Sequence, residues 1–111
     1  MAKKIQAYIK LQVKAGKAPL VIDVRKKSEF DSEHLIDAVN IPLNEINQHL
    51  AEFPKDKPFV LHCQGGYRSM IASSILKQRG WDNFVDVIGG FDEIKESSLE
   101  KSDYVCPTTL L

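Results

Sequence analysis

"PFVLHCQGGYRSMIASSILKQRG", residues 58–80, reads as a strand, a short glycine-bearing loop and a helix in immediate succession. Residues 58–62 are a near-continuous apolar run, the pattern of a strand covered on both faces of a parallel sheet. After "CQGGYR", Ile71 with Ile75 and Ala72 with Leu76 fall on one helical stripe. Lys77 and Arg79 suit the negative end of that helix, and Gly80 suits a left-handed cap.

Working outward, "LVIDV" (20–24) is a second buried strand, "AVNIPL" (38–43) a short one stopped by Pro42, and "NFVDVI" (83–88) a further one. Helices are predicted between them. Residues 3–13 carry Ile5, Tyr8, Ile9 and Val13 at helical spacing, and Gly16 and Pro19 break the pattern. "SEFDSEHL" (28–35) begins with Ser28 and has Asp31 three residues on, a capping arrangement. Asn44 caps "EINQHLAEF" (45–53), an amphipathic helix by Ile46, Leu50 and Phe53, and "GGFDEIKE" (89–96) turns into a last short helix. Strands that alternate with helices imply a three-layer α/β/α domain with a central parallel sheet, its ligands at the strands' C-terminal ends. Cys63 stands at one of those ends.

The 111 residues fit one domain. Lysine plus arginine number 15 against 15 for aspartate plus glutamate, with no long run of like charge, so neither nucleic acid nor a membrane surface is an expected partner. No spanning helix or secretory signal is legible, and a cytoplasmic protein is expected. Two cysteines, Cys63 and Cys106, are too few for a disulfide scaffold and lie in no zinc-binding spacing, so no metal is expected.

A cysteine is nucleophilic as thiolate, and a free thiol ionises near about 8.5, so the anion needs stabilisation. Here a loop runs from Cys63 straight into a helix, whose first amides and those of the loop can converge on the sulfur. Gly65 and Gly66 permit the positive φ angles that turn successive N–H groups inward. Arg68 adds a positive charge and a fork suited to an oxyanion. Taken one at a time, Cys63 and the two glycines also suit a buried thiol before a simple turn. It is the joint order of strand, cysteine, glycines, arginine and helix that favours an anion site with a nucleophile at its base.

Those residues resemble a known family. "CQGGYRS" is similar to the Cys-x-x-Gly-x-Arg-Ser loop of rhodanese-like sulfurtransferases, with Cys63, Gly66, Arg68 and Ser69 at the matching places. "LVIDVRKKSEFDSEHLIDAVNIPL" resembles the family's upstream signature, and "VIGGF" the Gly-Gly-aromatic turn after the last strand. The resemblance implies a rhodanese-like fold for a single domain over residues 1–111, with a core at about 5–97 and an irregular tail at 98–111. It also implies that Cys63 takes a sulfane sulfur as a persulfide and passes it on, with no metal or organic cofactor. Gln64, Gly65, Gly66, Tyr67, Arg68 and Ser69 then form the substrate loop. Asp23 and Arg25 support it, with Glu29 as the expected partner of Arg25. The partners implied are a small sulfur donor, thiosulfate or a low-molecular-weight persulfide, and a thiol acceptor. Together with the tail, the loop is similar to rhodanese domains fused behind metallo-β-lactamase-fold hydrolases, which adds a fused or partner hydrolase domain.

Protein phosphatases of the related cell-cycle type place five residues between cysteine and arginine, and this chain has four, Gln64 to Tyr67, so a phosphatase or arsenate reductase is the alternative enzyme reading. A non-catalytic binding module is the other alternative, although inactive relatives typically lack the cysteine. Arg68 suits either anion binding or loop rigidity. His34 reads as a hydrogen-bonded packing residue. His62, next to Cys63 on a strand, faces the other way. His49 lies on a solvent-facing helix position, and Cys106 in the tail is a candidate resolving thiol. Three positions depart from the family pattern: Glu33 and Asp37 replace usual glycines, and Ile94 replaces a frequent tryptophan.

Overall fold

The computed structural model describes residues 20–87, 89–96, 99 and 101–103. The helix predicted over 3–13 and Cys106 lie outside these residues. Strand β1 is Leu20–Asp23, followed by helix α1 (Lys27–Ser32) and strand β2 (Val39–Asn40). After two 3₁₀ helices, Leu43–Gln48 and Leu50–Glu52, come β3 (Phe59–His62), α2 (Tyr67–Gln78), β4 (Phe84–Asp86) and α3 (Gly90–Ile94).

The sheet order is β2-β1-β3-β4 and every pairing is parallel, with Asp23 opposite His62 and Leu61 opposite Asp86. Side chains alternate between the faces of a strand. Ile22, Val24, Phe59 and Leu61 therefore meet Ile46, Phe53, Ala72, Leu76 and Trp81 on the α2 face. Val21 and Val60 meet Leu35, Val87, Phe91 and Ile94 on the α3 face. The central parallel sheet thus has a core on each side, as the alternation of elements predicts. Fully buried Phe59, Ile22 and Leu61 each stabilise the fold by roughly 1.5–3 kcal/mol. No helix among the described residues is long and apolar enough to cross a membrane.

Three local expectations are corrected. The segment predicted as an amphipathic α-helix over 45–53 is a pair of 3₁₀ helices with Asn44 inside the first, not capping it. Its N–H groups donate three residues back, Glu45 to Pro42 and Phe53 to Leu50. Leu43 with Ile46 and Leu50 with Phe53 are spaced by three, which a 3₁₀ turn places on one side, against the core. Ser28 does not cap α1 either: Lys26 holds that position, and its N–H donates to Glu29 Oε1 at 3.2 Å. On α2 the buried face is Ser69, Ala72, Ser73 and Leu76, while Ile71 is 37% exposed.

Of the two positions where a glycine is usual, Glu33 is extended (φ −164°), a conformation any residue adopts. Asp37 takes φ 69°, the left-handed region that aspartate tolerates better than most side chains.

Candidate active site

The end of β3 delivers His62 and Cys63 to opposite faces, as strand geometry requires. Cys63 turns toward the α2 face and is 1% exposed, so its sulfur lies on the floor of the loop that follows. The Gly66 N–H donates to Cys63 Sγ at 3.1 Å. The thiol donates to Ser69 Oγ at 3.5 Å, and the Ser69 hydroxyl to the Gly66 carbonyl at 3.3 Å. That contact explains the phase of α2: the helix must present Ser69 to the sulfur, which carries Ala72, Ser73 and Leu76 inward and Ile71 outward.

Gly66, with φ 100°, is the residue that reverses the chain into α2. Gly65 is not in the left-handed region, so one glycine of the pair makes the turn. The loop in turn rests on the start of α3. The Phe91 N–H donates to the Cys63 carbonyl at 2.7 Å and the Asp92 N–H to the Gln64 carbonyl at 3.0 Å. A Cβ on Gly90, which has φ 58°, would lie 2.4 Å from the Cys63 carbonyl oxygen, so the backbone there must be bare. In the sequence, Gly90, Phe91 and Asp92 read only as a turn and a helix start. Their role comes from a contact across more than twenty positions of chain.

Asp23 and Arg25 meet beside the loop, as the sequence suggests, but Glu29 is not the partner of Arg25. Arg25 Nε and Nη2 donate to the Asp23 carboxylate at 2.8–3.0 Å, and Nη2 also donates to the Glu33 carbonyl at 2.7 Å. Both residues are buried, at 3% and 0% exposure, and two opposite charges there are tolerable because their donors and acceptors are matched. Arg25 Nη1 reaches the loop and donates to Gln64 Oε1 at 2.8 Å, while Gln64 Nε2 donates to Asp92 at 2.6 Å. Gln64 is therefore a clasp between Arg25, just past the end of β1, and Asp92 on α3. Glu29 instead receives both terminal nitrogens of Arg68, at 2.6 and 2.9 Å. The Arg68 hydrogen bond holds the Glu29 carboxyl below its ordinary range, and the same bond raises Arg68. Tyr67 is 72% exposed beside the loop, with Met70 54% exposed on the same helix.

His34 stacks on Phe30, and its Nδ1 lies 2.7 Å from the Phe30 carbonyl. His49 is on the surface against Glu45 and Glu52. His62 is fully buried; its Nδ1 lies 3.0 Å from the Cys63 carbonyl oxygen and its Nε2 3.8 Å from Asp23 Oδ2. Burial pushes the His62 ring below the ordinary histidine range, and the nearby Asp23 charge opposes this in part. No group of metal-ligating side chains is present among the described residues.

Compared with known proteins, residues 6–97 match the family described as "Rhodanese-like domain". The adenylyltransferase and sulfurtransferase of Ogataea parapolymorpha is 37% identical over 83 residues, which cover 74% of this chain and 21% of that protein. A sulfurtransferase of Allochromatium vinosum is 32% identical over 71 residues, 64% of this chain and 66% of that protein. The chain therefore spans less than two thirds of either relative. The crystal structure of a rhodanese-related protein from Thermoplasma volcanium superposes with a TM-score of 0.71 at 31% identity, covering 82% of this chain and 90% of that one.

Proposed function

The chain belongs to the rhodanese-like domain family, and on that premise we propose that it is a sulfurtransferase in which Cys63 carries the transferred sulfur. The observation that carries this reading is the Gly66 N–H aimed at Cys63 Sγ from 3.1 Å, at the floor of a loop that opens into α2. The sulfurtransferase names of the two relatives support it.

With thiosulfate as donor, the Cys63 thiolate attacks the outer sulfur. A new S–S bond forms to Sγ, the S–S bond of thiosulfate breaks, and sulfite leaves with that electron pair. An acceptor thiol then attacks the outer sulfur of the Cys63 persulfide. The bond to Sγ breaks, Cys63 regains its thiolate, and the acceptor departs as a persulfide with its proton. No outside oxidant or reductant enters either step. The Gly66 N–H already faces Sγ before reaction, so it costs no reorganisation when charge moves between the sulfurs. Gln64, Gly65, Gly66, Tyr67, Arg68 and Ser69 form the substrate loop in this reading, while Asp23 and Arg25 hold its base. The four residues between Cys63 and Arg68, one fewer than in the related phosphatases, support sulfur over phosphate as the group carried.

The test is sulfite release from thiosulfate in the presence of a thiol acceptor, for the wild type and for Cys63→Ser. The expected result is release that depends on protein and acceptor and is lost in the variant. Release that survives Cys63→Ser would overturn the assignment. If the domain serves a fused hydrolase, a low-molecular-weight persulfide will outcompete thiosulfate as donor in the same assay.

A further inference from the structure

We propose that His62 is a positioning residue for Cys63, holding the nucleophile's own carbonyl through a neutral ring that carries its proton on Nδ1. The inference rests on the reading of Cys63 as the reactive sulfur. It starts from a chemical constraint. A backbone carbonyl oxygen only accepts, so the ring nitrogen 3.0 Å from the Cys63 oxygen must be the one that bears hydrogen. With the proton on Nε2 instead, two lone pairs would face each other at Nδ1, while the Nε2 hydrogen would have Asp23 Oδ2 at 3.8 Å, beyond hydrogen-bond reach. Nε2 has no hydrogen-bond partner among the described residues, so no acceptor there calls for a proton on that nitrogen.

The ring does not act alone on that oxygen. The Phe91 N–H donates to the same carbonyl at 2.7 Å, and the Phe91 ring stacks with His62 at 6.0 Å between centroids. Arg25 lies over the same Phe91 ring, 4.4 Å from its centroid. Two donors on one oxygen fix the plane of the peptide that starts the loop. That plane sets where Sγ sits relative to the Gly66 N–H. A second proton on the ring would place a buried charge among Asp23, Arg25 and Asp86, and burial keeps the ring neutral.

Three measurements on the intact chain decide the matter. Ring-nitrogen NMR of the labelled protein is expected to show Nδ1 protonated; an Nε2-protonated ring overturns the proposal. His62→Leu fills the space but has no donor, whereas His62→Asn loses ring packing but puts an amide N–H near the Nδ1 position. Thermal midpoints are therefore expected to rank Leu above Asn. Alkylation of Cys63 by iodoacetamide is expected to rank the other way, about tenfold slower than wild type for Leu and within about threefold for Asn. Rates that follow the thermal ranking would reduce His62 to a packing residue and overturn the proposal. None of these readouts needs sulfur transfer, so a wild type that takes up no sulfur would refute the proposed function while leaving this inference to stand or fall by itself.

Discussion

Glu29 on α1 and Arg68 at the start of α2, 39 residues apart in the chain, close a two-pronged ion pair at 2.6 and 2.9 Å over the rim of the Cys63 loop. The pair is about 30% exposed on both sides, so its direct contribution to stability is at most about 1 kcal/mol. Its larger effect is geometric, since it fixes the point where the loop becomes helix. Arg68→Lys keeps the charge but loses the fork. The expected outcome is a thermal midpoint close to wild type together with at least a severalfold fall in Cys63 sulfur loading. Equal loading by both proteins would show that the fork does not position the loop.

Stability should decline with acidity in two separable windows. Glu29 has its carboxyl lowered by the Arg68 hydrogen bond, so its contribution is complete above its ordinary value of 4.5 and is lost as pH falls through the lowered value. His62 is lowered by burial, so the unfolded chain takes up that proton first and stability begins to fall below 6.5. Chemical denaturation across pH should show both slopes, with His62→Leu removing the upper one and Glu29→Gln the lower. A single slope in wild type, or slopes indifferent to these variants, contradicts the assignment.

Gly90 is the tightest point of the site. Alanine there would place Cβ 2.4 Å from the Cys63 oxygen and adopt φ 58°, which for a residue with a Cβ costs about 1–2 kcal/mol before the clash. Gly90→Ala is expected to fold with a lowered midpoint and to lose more than tenfold in sulfur loading, because α3 can no longer hold the Cys63 and Gln64 carbonyls. Wild-type loading in a folded Gly90→Ala protein would show that the α3 contact is dispensable.

Asp37 offers a milder check on backbone strain. With φ 69°, Asp37→Gly should change stability by less than about 1 kcal/mol, while the β-branched Asp37→Val should cost about 1–3 kcal/mol. Equal stability of the two variants would place the strain elsewhere.

The elements that position Cys63 are legible because their signals are local. The apolar runs at Leu20–Asp23 and Phe59–His62 are strands, and "CQGGYR" is a loop that ends in a helix. The misread features depend on partners far away in the chain. Glu29 has two arginines within reach of its helix, and its pairing with Arg68 follows from the placement of α2. The phase of α2 follows from the contact of Ser69 with Cys63 Sγ, which competes with the apolar periodicity that favours Ile71. Strand alternation places His62 facing away from the thiol, as the structure has it. Its ring nonetheless meets the Cys63 backbone, a contact that side-chain alternation does not report. The 3₁₀ segment misleads for a different reason: Ile46, Leu50 and Phe53 fit a helical period of 3.6 as well as two short turns of three.

The central claim is that Cys63 carries sulfur, and intact mass tests it most directly. Wild type and Cys63→Ser are each incubated with thiosulfate and, separately, with a low-molecular-weight persulfide, then weighed before and after a thiol wash. The account predicts a gain of one sulfur atom on wild type, removed by the thiol and absent from the variant. A folded wild type that gains nothing from either donor, or a variant that gains as much, would contradict it.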